Sequence, residues 1–139
     1  MTNNAYRPDR KTVLIVEDQA LMRRTLRDFL QDAFPDCHFL DVADGASALE
    51  ACKASRPLLV LMDKCLPDAD GMELTDRLKE MYPAIQVIVM SYKSGDVYVQ
   101  RALAAGARAY LLKDDLASEL IPAVAAAMGA EPGADRGFV

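Results

Sequence analysis

Carboxylates stand at the ends of apolar runs in this chain, and they do so more than once. "VLIVED" (13–18) closes on Glu17 and Asp18, and "LLVLMD" (58–63) closes on Asp63. Two other apolar runs close on groups that donate hydrogen bonds, "VIVMS" on Ser91 and "AYLLK" on Lys113. Brought to one rim, the three carboxylates would repel, since like charges about 4 Å apart cost about 4 kcal/mol at an effective dielectric of roughly 20. Lys113 supplies one compensating charge, and a divalent metal is the natural second. Short all-oxygen ligands of high charge density select a hard ion. A site with few protein ligands and room for water favours Mg2+.

Whether these groups meet depends on the elements that carry them. "TVLIV" (12–16) reads as a β-branched, fully apolar strand, and Met22, Leu26, Phe29, Leu30 and Ala33 then recur at helical spacing until Pro35. "CHFLDVA" (37–43) alternates like a strand, and the Asp-Gly pair at 44–45 turns the chain into an alanine-rich helix ending near Arg56. A third strand occupies 58–62, followed by a loop with Pro67 and Gly71 and a helix using Leu74, Leu78 and Met81, closed by Pro83. A fourth strand at 85–90, a helix over about 96–105, a fifth strand at 107–112 and a helix over about 116–128 complete the alternation.

Five strands alternating with five helices predict an α/β domain with a parallel sheet covered on both faces. Right-handed crossovers leave few topologies, and the expected one is flavodoxin-like, with strand order 2-1-3-4-5. Such sheets bind ligands at the carboxyl ends of their strands, where the order reverses. Here that crevice lies between the first and third strands, where Glu17, Asp18 and Asp63 are expected.

Singly, each residue also has an ordinary reading. An acid after a strand commonly caps the next helix. Ser91 alone reads as a turn residue and Lys113 alone as a solvated lysine. Asp63 fits such a reading less well, because "DKCLPDADG" puts it at a loop start, with the next helix beginning only near Gly71. The functional reading rests on the joint placement at four strand ends.

At 139 residues the chain is long enough to bury one core, and 52% hydrophobic with 27% charged residues is an ordinary globular composition. A net charge of −5 argues against direct nucleic-acid binding and against a polybasic membrane-surface module. "MTNNAYRPDRK" lacks the apolar core of a secretory signal, and "LIPAVAAAMGA" is far shorter than the about 20 residues that span a bilayer. A cytoplasmic location is the default. Cys37, Cys52 and Cys65 form no CxxC pair, and His38 has no partner at a zinc-like spacing. Cys37 and Cys52 are expected to be small buried apolar residues, and His38 a surface residue.

"VLIVED", "LLVLMDKCLPDADGMEL", "VIVMS" and "GARAYLLK", in this order and spacing, resemble the receiver domain of two-component response regulators. The resemblance covers about residues 12–128, with 1–11 and 129–139 as tails. "YVQRALAAGARAYLLKDD" is most similar to receivers of regulators that carry a C-terminal helix-turn-helix. The chain is therefore expected to be a stand-alone receiver or the receiver portion of a longer regulator, its C-terminal tail then a truncated linker; the stand-alone form is favoured.

The resemblance implies roles. Asp63 is the expected phosphoacceptor for a sensor histidine kinase or histidine phosphotransfer protein. Asp18, Asp63 and the backbone carbonyl of Cys65 are the expected direct Mg2+ ligands, with Glu17 acting mainly through a water. Lys113 is expected to pair first with Asp63 and then with a phosphoryl oxygen, and Ser91 to donate to another. Ser91 and Tyr110 form the implied switch. Tyr110 turns inward and the face of the fourth helix, fifth strand and fifth helix changes for a downstream protein, an output domain or a second copy of the chain.

Some residues depart from the family pattern. Tyr92 is large where a small residue is usual, and its ring is expected to narrow access to Asp63. Asp114 follows Lys113 where many receivers have proline. Pro122 removes one hydrogen bond from the last helix and is expected to kink or delay it. Lys64 and Lys93 are extra cations beside the site, expected to be solvated.

Two other functions compete. A haloacid-dehalogenase-type phosphatase needs a second acid two positions after its nucleophile, and Cys65 stands there. A phosphorylation-independent receiver-like interaction module usually lacks one of the acids or the lysine, all of which this chain keeps. The chain is thus expected to be a signalling phosphoacceptor rather than an enzyme with a separate substrate.

Overall fold

The computed structural model describes residues 11–129; both expected tails lie almost wholly outside them. Five strands form one sheet, β1 (Thr12–Val16), β2 (His38–Val42), β3 (Leu59–Asp63), β4 (Gln86–Ser91) and β5 (Ala109–Leu112). All are parallel, in the order β2-β1-β3-β4-β5. The helices are α1 (Ala20–Ala33), α2 (Gly45–Ser55), α3 (Gly71–Met81), α4 (Asp96–Ala104) and α5 (Leu116–Met128), with a 3₁₀ turn at Lys113–Asp115 before α5.

Strand periodicity divides the apolar residues into two cores. Val13, Ile15, Leu59, Leu61, Ile88 and Met90 face Leu26 and Leu30 of α1 and Leu116, Leu120 and Val124 of α5. Their neighbours Leu14, Val16, Val60, Met62, Val87 and Val89 face Cys52 of α2, Leu74 and Leu78 of α3 and Ala102 of α4. Both faces of β3 are therefore covered, which is why its sequence has no polar alternation.

The element boundaries differ from the sequence expectation by a residue or two, and one shift matters. β3 runs through Asp63, which pairs with Met90, so the acid belongs to the strand rather than to the loop after it. β5 starts at Ala109 and not at 107, because the Ala107 N–H closes α4 by bonding to the Ala102 carbonyl. Phe29 and Met81 sit at helical spacing yet are exposed, whereas Phe34, beyond the helix, is buried in the core. Cys37 and Cys52 are buried, and burial pushes the Cys52 thiol up to about 11. α5 continues unbroken through Pro122.

Candidate functional site

Register decides which strand ends meet. Val16 pairs with Met62, so β1 releases Glu17 and Asp18 beside Asp63. Ser91 pairs with Leu112, which brings Lys113 to the same edge of the sheet. The carboxylates of Glu17, Asp18 and Asp63 each offer an oxygen within 4.8 Å of the others. Glu17, Asp63 and Ser91 are buried, while Asp18 is exposed.

Each buried group has a partner. Lys113 Nζ lies 2.8 Å from Glu17 Oε1 and 3.2 Å from Asp63 Oδ1. Glu17 also accepts the Gln19 N–H at 3.1 Å, and Asp63 accepts the Cys65 N–H at 3.1 Å. Ser91 Oγ accepts the Lys93 N–H at 3.0 Å, which leaves its own proton free to donate elsewhere. The Tyr110 hydroxyl donates to the Lys93 carbonyl, so Ser91 and Tyr110 hold the backbone of Lys93 on both sides of its Cα. Arg23 Nη1 donates to the Glu17 carbonyl at 2.8 Å and fixes the chain where it leaves β1.

Burial pushes the Asp63 carboxyl up to about 6; Cys65 N–H and Lys113 pull it down, and the Glu17 charge adds to the rise. Burial works to lower the pKa of Lys113, but its bond to Glu17 and the charges of Asp63 and Glu17 outweigh that and leave it raised. One ammonium against three carboxylates leaves the cluster short of positive charge. The deficit and the all-oxygen donor set both fit a hard divalent cation such as Mg2+.

Above the cluster opens a cavity of about 320 Å³, lined among others by Asp18, Asp63, Cys65, Ser91, Tyr92 and Lys113. Tyr92 is 59% exposed, and its ring centroid lies 5.2 Å from Lys113 Nζ. Lys93 is exposed, whereas Lys64 is half-buried with its Nζ 5.7 Å from the Tyr98 ring centroid on α4. Asp114 lies in the 3₁₀ turn after β5.

Several supporting residues went unassigned in the sequence. A Cβ on Gly71 would overlap the Asp63 carbonyl oxygen and come within 2.8 Å of Lys64 Cα, so only glycine lets α3 start this close to the end of β3. The Gly71 N–H bonds to the Lys64 carbonyl at 2.7 Å. Asp70 caps α3 by accepting the Met72 N–H at 2.8 Å, a role its position before a helix could have revealed. Asp68 bonds to α2, far away in the chain, and nothing local signals that.

The model of the response regulator receiver domain family matches residues 13–125. The transcriptional regulatory protein PdtaR of Mycobacterium tuberculosis is 35% identical over 82% of this chain and 55% of its own length. The chemotaxis protein CheY of Halobacterium salinarum is 33% identical over 74% of this chain and 84% of its own. A LuxR-family two-component response regulator from Aurantimonas sp. SI85-9A1 shares the fold, with a TM-score of 0.79 and 24% identity over 88% of each chain. The chain spans about half the length of the transcriptional regulatory proteins it matches. Family match, strand order and acid cluster agree: this chain belongs to the response regulator receiver domain family, whose members accept a phosphoryl group in two-component signalling.

Proposed function

We propose that Asp63 is the phosphoacceptor of this receiver domain and that Glu17, Asp18, Ser91 and Lys113 serve its phosphorylation. The observation that carries the proposal is the placement of the Asp63 carboxylate, 3.2 Å from Lys113 Nζ and in one cluster with Glu17 and Asp18. Asp18, Asp63 and the Cys65 carbonyl would hold Mg2+, with Glu17 behind them. Bound there, Mg2+ would neutralise charge on the oxygens of the phosphoryl group in transfer.

The chain's own residues supply position and charge. β3, buried on both faces, holds the attacking carboxylate still, and the Cys65 N–H fixes its Oδ1. Carboxylate attack displaces the donor group and leaves an aspartyl phosphate. The transition state carries negative charge on its equatorial oxygens, and Lys113 and the free Ser91 proton stand ready to bind two of them.

A new charge of about −2 on Asp63 then pulls Ser91 and, through the backbone of Lys93, the Tyr110 hydroxyl. α4, β5 and α5 are the surface this movement reaches. The partners that follow are a histidine kinase or phosphotransfer protein upstream, and a downstream protein, an output domain or a second copy of the chain. No described helix is long and apolar enough to cross a membrane, and we place the chain in the cytoplasm with such partners.

The test is acetyl phosphate with Mg2+, followed by mass spectrometry of the intact protein. One added phosphoryl group on the wild type and none on Asp63→Asn is the expected result. Labelling of both proteins, or of neither, overturns it and in the second case favours a phosphorylation-independent interaction module.

A further inference from the structure

The loop between β3 and α3 carries Cys65, whose carbonyl is a proposed metal ligand, and most of its hydrogen bonds are local. Lys64 N–H bonds to the Met90 carbonyl, Leu66 N–H to the Ala69 carbonyl and Gly71 N–H to the Lys64 carbonyl. Cys65 and Asp70 form an isolated antiparallel bridge. These bonds close the loop on itself and on the end of β4. None of these bonds ties the loop to α2.

Asp68 does. Its Oδ1 accepts the Gly45 N–H at 2.7 Å and its Oδ2 accepts the Ala46 N–H at 3.0 Å, across more than twenty residues of chain. Both oxygens are thus spent on the first turn of α2, whose other cap, Asp44, accepts the Ser47 N–H at 2.8 Å. Contact is close: a Cβ on Gly45 would lie 3.0 Å from Ala69 Cβ and 3.2 Å from Asp68 Oδ1. The Gly45 and Ala46 N–H groups also hold the Asp68 carboxyl below its ordinary range, so it is ionised at neutral pH.

We propose that Asp68 is a positioning residue for the metal site, clamping the β3–α3 loop to the start of α2 so that the Cys65 carbonyl stands over the acid cluster. The inference rests on the proposed function of that cluster. Asn at position 68 keeps the size and one acceptor but sets an NH2 group against the second N–H, so it breaks the clamp without opening a hole. Asp44→Ala removes a cap from the same helix and leaves the clamp intact.

The experiment is calorimetric Mg2+ titration of wild type, Asp68→Asn and Asp44→Ala, with amide exchange of residues 65–70 measured in metal-free protein. Asp68→Asn should bind Mg2+ about tenfold more weakly, the lower end of the effect of residues that hold metal ligands. Its loop amides should exchange faster than in wild type with no metal present, and Asp44→Ala should match wild type in both. Unchanged Mg2+ affinity in Asp68→Asn overturns the inference. So does an equal loss in Asp44→Ala, which would reduce the effect to helix capping. A wild type that binds no Mg2+ overturns the reading of the acid cluster, and this inference with it.

Discussion

Lys113 gives its nearer contact to Glu17, at 2.8 Å, and its longer one to Asp63, at 3.2 Å. The sequence reading gives Lys113 a partner in Asp63 and is silent on Glu17. Glu17 has no exposed surface, so its charge depends on this ammonium and on the Gln19 N–H. Asp63 lines the cavity, where the proposed phosphoryl group would meet it. Lys113 lies nearer the acid that takes no part in the proposed attack.

Removing the ammonium strands a buried charge. Lys113→Met should lose about 3 kcal/mol in metal-free protein at neutral pH, the usual cost of breaking a buried ion pair from one side. Adding Glu17→Gln to it should recover most of the loss. Urea denaturation of the three proteins reads this directly, and wild-type stability for Lys113→Met would contradict it.

The raised Asp63 carboxyl gives stability a defined pH slope. In the unfolded chain it titrates near its ordinary value of 3.8, and in the folded one at about 6. Between these values the folded state binds more protons, so metal-free stability falls as pH rises through the window. Asp63→Asn lacks the term and should be more stable than wild type at pH 7, with the advantage shrinking as pH falls towards 4. Denaturation curves across that range check the sign.

Protons and Mg2+ compete for the same carboxylate. With Asp63 titrating at about 6, Mg2+ affinity should be about tenfold lower at pH 5 than at pH 7. Calorimetric titration at the two pH values measures it, and equal affinities would place the ion elsewhere.

The Tyr92 ring lies against the Lys113 ammonium, and both residues line the cavity. Lys113 must leave the ring to follow a phosphoryl group, at a cost of about 0.5–1 kcal/mol for an exposed cation–π contact. Tyr92→Ala should therefore speed both labelling by acetyl phosphate and hydrolysis of the product, each about two- to fivefold. Unchanged rates would remove Tyr92 from the account.

Gly71→Ala tests the close approach of α3 to the end of β3. The added methyl meets backbone, which cannot rotate away, so the helix must retreat. A loss of about 2–3 kcal/mol is expected, together with slower phosphorylation, because the displaced backbone belongs to Asp63. Thermal denaturation and labelling would report the two effects separately.

The alternation of strands and helices, the parallel order and the acids at the strand ends were all legible in the chain. Those features follow from short-range periodicity and from the handedness of crossovers, both present in the chain as written. "LLVLMD" needed no partner to announce a strand buried on both faces with a carboxylate at its tip. Lys113 and Glu17 are 96 positions apart, however, and which acid the ammonium prefers is decided by register and side-chain reach. Gly71 read as a turn residue until the backbone of Asp63 was found against it. Asp68 read as loop until its carboxylate was found on α2. Such contacts join segments that meet only once the sheet has formed, and local pattern carries no record of the distance across it.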